Sequence, residues 1–147
     1  MLRSILGAIA GYVIMFFCIF LLFSAAYLAM GADGAFVPGG YDVSMTWIVM
    51  SFVLGFLAAL VAGYSAAVIG KGSPAVKILA GIVLVLGIVS AIAVSMSPRP
   101  EGARTADVPN LEEMSKAQTP LWVALINPFI GIAGVLVGGG LRKDRSV

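Results

Sequence analysis

Histidine is absent from this chain of 147 residues, and cysteine occurs once, as Cys18. Without histidine the commonest zinc and copper ligand, and the usual axial ligand of a membrane haem, are both missing. A single cysteine cannot close an intrachain disulfide. It also excludes the thiol oxidases of four-helix type, which work through cysteine pairs. Seven methionines are present without a Met-x-Met cluster, so they read as flexible filling between helices. No cofactor is expected, and no catalytic or metal-binding residue is assigned.

Charge is the second scarcity. Charged residues make up 11% of the chain, against about 25% in an ordinary soluble domain. Sixteen ionisable side chains cannot clothe a water-facing surface of this size, nor supply the basic face that a nucleic acid requires. A soluble domain, a disordered chain and a nucleic-acid partner are excluded together.

The few charges are clustered. Between them lie four uncharged stretches of 29 residues (4–32), 28 (43–70), 21 (78–98) and 25 (117–141). A helix needs about 20 apolar residues to cross the hydrocarbon core, so each stretch is long enough to cross once and too short to cross twice. None alternates polar and apolar residues with period two, so a β-barrel is disfavoured. The expected fold is therefore all-α: one integral membrane domain covering 1–147, a four-helix transmembrane bundle with short loops. The spans are expected near 4–30, 46–69, 76–96 and 120–141. The first apolar run is about twice the length of a signal-peptide core and is read as a retained span. The lipid bilayer is the one partner that composition demands.

Four spans put both termini on one side. That side carries Arg3, Lys71, Lys77, Arg142, Lys143 and Arg145 against the single acid Asp144. The other carries Arg99, Arg104 and Lys116 against six acids. Basic residues collect in cytoplasmic flanks, so both termini are expected in the cytoplasm, with the chain in the plasma (inner) membrane. Trp47 and Trp122 each open an inward-running span and are expected as interface anchors.

The most telling absence lies inside the spans, where no uncharged stretch holds Asp, Glu, Lys, Arg or His. Proton-coupled pumps and exporters place such a group at membrane depth, and a nucleophile with its base would need one too. Small residues at helical spacing stand there instead. Ser51, Gly55, Ala59, Gly63 and Ala67 recur every fourth residue on the second span. Gly7-x-x-x-Gly11 marks the first and Gly134-x-x-x-Gly138 the fourth. In lipid, helices associate through close packing, which small residues permit. These ridges serve either the packing of the four spans or the docking of another subunit. Asn127-Pro128 interrupts the fourth span and reads as a kink or a polar point, because proline frees the carbonyl of Ala124.

The linkers carry weaker signals. Pro38-Gly39-Gly40 marks a turn, and Phe36, Val37, Tyr41 and Val43 are expected to lie on the headgroup layer without regular structure. Asn110-Leu111-Glu112-Glu113 reads as a helix start, giving a short interfacial helix over 111–118. Two functions fit these features. The favoured one is a non-catalytic accessory, scaffold or assembly subunit that docks a membrane-protein partner or a second copy of itself. The alternative is an oligomeric channel or passive small-solute transporter, for which Asn127, Ser51, Ser90 and Tyr64 would supply the polar lining.

Overall fold

A computed structural model describes residues 1–98 and 116–142. Four helices make up the bundle: α1 (Leu2–Ala35), α2 (Met45–Gly70), α3 (Ser73–Met96) and α4 (Leu121–Gly140). Each is long and apolar enough to cross a membrane. The end holding the N-terminus and the α2–α3 link is called proximal, and the opposite end distal.

α1 exceeds its expected limit by five residues. Gly31 takes a left-handed conformation (φ 69°, ψ 173°) that breaks the helical path, after which the chain makes one further turn. The amide of Phe36 bonds the carbonyl of Ala32, and the Ser44 hydroxyl bonds that of Gly34. Glycine suits the break because it alone takes positive φ without strain. Ser44 also caps α2, accepting from the amide of Trp47 at 3.1 Å. α3 starts three residues earlier than expected, with Pro74 in its first turn, where the missing N–H costs nothing. α2 ends on Lys71 in the left-handed region (φ 56°), and Gly72 (φ 137°) turns the chain directly into α3.

The segment 36–43 is not a headgroup-layer coil. Val37 to Gly40 form a turn closed by a Gly40 N–H to Val37 carbonyl bond, with Pro38 leading and Gly39 at φ 77°, the signature of type II. Phe36 and Val43 pair across it as an antiparallel bridge, and Asp42 pairs in parallel with Gln118. The turn folds these two side chains inward, so Phe36 and Val43 are 3% and 7% exposed, while Val37 stays outside. Beneath them lie Tyr27, Ile48 and Val123, and Lys116 stands over the Tyr41 ring. The expected helix at 111–118 lies outside the described residues except for 116–118, which are not helical. Gln118 instead bonds Tyr41 and Val43.

α2 packs most extensively, against α1 on one side and α4 on the other. α3 joins α4 and, more thinly, α1, whereas α1 and α4 barely touch. The interior is sorted by size. Ala8, Ala58, Ala59, Ala62, Ala66 and Ala75 are fully buried, while Phe16, Phe17, Phe20, Ile88 and Phe129 face outward. Lipid is as apolar as leucine, so large side chains gain nothing by turning inward, and small ones let backbones meet.

Candidate functional site

The small-residue ridges divide into two groups. In the proximal half they are spent on contacts within the chain. Gly7 and Gly11 lie on Ala62, Ala66 and Gly70 of α2, so close that a Cβ on either would collide with α2. Gly63 faces the backbone of Val135, Gly134 faces Ala59 and Phe56, and Gly138 faces the carbonyl of Leu60. Ala67 is buried, and its carbonyl accepts the amide of Gly72 and the Arg142 guanidinium. Arg142 thereby ties the chain end beyond α4 to the C-terminus of α2, where a cation also meets the negative end of the helix dipole. Of the nine small residues in the ridges, seven pack internally. Ser51 and Gly55, at the distal end of the α2 ridge, do not.

Those two form the back of a half-open cleft of about 430 Å³. All four helices line it. α1 contributes Tyr12, Met15, Ile19 and Phe23, and α3 contributes Val83 to Val94 along one face. α4 adds Ala124, Asn127, Pro128 and Gly131. A Cβ on Gly55 would meet nothing within 4 Å. The cleft stops where Leu79, Ala59 and Val135, all fully buried, close the proximal half. Along α1 it runs from Tyr12 to Phe23, about 16 Å at 1.5 Å per residue, roughly half the hydrocarbon thickness.

Its polar groups are Tyr12, Ser51, Ser90, Thr119 and Asn127. Ser51, Ser90 and Asn127 each stand six residues from the distal end of their helix, about 9 Å deep, and so share one tier. Ser51 already donates to its own helix at the Ile48 carbonyl, 2.8 Å away. Among the described residues no hydrogen-bond partner faces the side chains of Tyr12, Ser90, Thr119 or Asn127. α4 runs through Pro128 as continuous helix, and the Pro128 ring fills the notch left by Gly87 on α3. The proline thus sets the α3–α4 contact and leaves Asn127 facing the cleft.

Three of the four polar residues expected to line a path therefore do meet in one place, and Tyr64 does not. It is exposed on the proximal part of α2, and Tyr12 takes its place in the lining. Trp47 lies within an aromatic cluster, edge-on to Phe23 (5.9 Å) and Tyr27 (6.0 Å). Trp122 is half-exposed, edge-on to Phe52 at 6.3 Å. Both stand at the distal end. Sequence reasoning missed Thr119, Arg142 and the pairing of Gly87 with Pro128. Only the last left a trace, since a proline ring within a span requires a small neighbour. Among the described residues no group of three His, Cys, Asp or Glu side chains could hold a metal.

Comparison of the chain with protein-family models, with curated proteins and with solved structures found no match.

Proposed function

We propose that the protein is a non-catalytic accessory or assembly subunit of a membrane complex, set in the plasma (inner) membrane with both termini cytoplasmic. The observation that carries this reading is the distal half of α3. From Val85 to Met96 nearly every residue is exposed, and Ala91 alone is buried. A helix held on so little of its circumference offers the rest to a neighbour. Because the proximal ridges are already consumed, such a neighbour meets larger side chains, Ile88 and Ile92 foremost. The central stretches of the four helices also lack the Asp, Glu, Lys, Arg and His side chains on which proton-coupled carriers depend.

Purification in native-lipid nanodiscs followed by native mass spectrometry tests the reading. A partner protein or a second copy of the chain is expected at fixed stoichiometry, and Ile92→Trp is expected to release it. A monomer under several mild conditions overturns the proposal. Orientation is checked by labelling single cysteines, in a Cys18→Ser background, at positions 39 and 146, which should fall on opposite faces.

A second reading, passive transport of a small solute, draws on the gathering of Asn127, Ser51 and Ser90 in one cleft. The packed proximal half gives a single copy no open path, so transport would require movement or an oligomer. Flux into liposomes that falls with Asn127→Leu supports it, and flux equal to that of empty liposomes removes it.

A further inference from the structure

We infer that the distal cleft is a binding site for a single-chain neutral lipid, a molecule with one hydroxyl- or carbonyl-bearing head and one hydrocarbon tail. This stands apart from the accessory-subunit reading, which rests on the outer face of α3.

Size selects among occupants. The recess, about 430 Å³, lies at the small end of the roughly 300–1,000 Å³ range of sites that take one small molecule. One hydrocarbon chain with a compact head fits. The recess also has the reach of a single leaflet, ending at the packed proximal half.

Charge and hydrogen bonding narrow the head group. No Asp, Glu, Lys, Arg or His side chain lines the cleft, and its polar tier lies about 9 Å below the distal helix ends. A phosphate or ammonium drawn to that depth would have no counter-charge and a large desolvation cost. A hydroxyl or ester carbonyl would have partners. Ser90 donates and accepts, and the Asn127 amide does both at separate atoms, while the Tyr12 hydroxyl belongs to the proximal end of the cleft. Polar groups unpartnered in hydrocarbon are costly, so an occupant that bonds them is favoured over an alkyl chain alone. A water-soluble polyol fits poorly, because Ile19, Phe23, Val83 and Leu86 make up the walls around that tier.

The test uses the full chain in nanodiscs and a monoacylglycerol carrying a diazirine in its acyl chain, with the matching lysophosphatidic acid as charged comparator. Photolabelling by the neutral probe is expected on cleft residues of α1, α3 and α4, displaced by unlabelled monoacylglycerol and not by lysophosphatidic acid. Gly55→Leu fills the cleft from its unobstructed back wall and should cut cleft labelling at least about tenfold, a difference of the size expected when a site is physically occupied. Ser90→Leu fills it from α3 and should act likewise. Gly81→Leu makes the same change at another unobstructed glycine, outside the cleft, and should label as wild type. Asn127→Leu keeps the shape and removes the amide, and should weaken displacement by about three- to tenfold, the worth of a lost hydrogen bond. Equal labelling and displacement by both lipids would mean ordinary boundary lipid and overturn the inference. So would full cleft labelling in folded Gly55→Leu and Ser90→Leu protein. Loss of labelling with the protein complex intact, or the reverse, separates this site from the proposed partner surface.

Discussion

The proximal and distal halves of the bundle are built from the same kinds of residue and pack in opposite ways. In the proximal half glycine and alanine on α1 and α4 meet their counterparts on α2 at backbone contact, leaving no room for one added carbon at Gly63 or Gly138. In the distal half the same α2 ridge continues through Gly55 and Ser51, yet among the described residues no helix packs on it and a cleft opens. Stability there comes from the aromatic cluster and the hairpin that cap the end, where Phe36, Tyr27 and Trp47 meet edge to face. Small residues permit close approach without commanding it; a facing helix must also arrive. α1 and α4 both lie on the proximal ridge, whereas α3 packs mainly on α4 and meets α2 only thinly.

That contrast can be broken at single positions. The largest effect is expected for Gly138→Ala, whose new methyl would strike the Leu60 carbonyl. Backbone cannot yield as a flexible side chain does, so a loss of about 3 kcal/mol or more is expected, read by reversible unfolding in mixed detergent. A neutral result would mean that the proximal seal is looser than described. Next comes Gly87→Ala, at the border of the two halves, where the obstacle is the Pro128 ring. A loss of about 1–3 kcal/mol is expected, and in the double variant with Pro128→Ala much of it should be recovered. Additive losses would show that the two residues do not share the contact.

Arg142→Gln should cost about 1 kcal/mol through the lost charged bond to the Ala67 carbonyl, with faster amide exchange at the proximal end of α2 and none at the distal end. Equal acceleration at both ends would deny the tether its local action. The smallest effect sharpens the comparison most. Gly55→Ala lies on the same ridge as Gly63, yet should change stability by no more than about 0.5 kcal/mol, because its Cβ enters open space. A loss near that of Gly138→Ala would erase the distinction between the halves.

The spans were legible because charge marks their ends. Asp42 and Lys71 bracket α2, Arg3 and Asp33 fall in the end turns of α1, and Lys77 lies near the start of α3, so the helix ends differ from expectation by no more than five residues. The turn at Pro38-Gly39 was legible too, since those residues carry their backbone geometry with them. The inward folding of Phe36 and Val43 was not. It depends on Gln118, distant in sequence, bonding Tyr41 and Val43. The site was half visible. Asn127, Ser51 and Ser90 stood out as rare polar groups in apolar spans, but only the packing put them on one tier, set Tyr12 rather than Tyr64 at the proximal end of the same cleft, and turned Pro128 into the α3–α4 contact.

Sequence alone determined that four stretches are long and apolar enough to cross a membrane, about where each stops, and which residues allow helices to touch. Tertiary structure decided which helices touch, which end is sealed and which stays open. The reason is physical. Against a solvent as apolar as the side chains themselves, no helix face is preferred for burial, and a glycine repeat states how near a neighbour can come without stating which neighbour it will be.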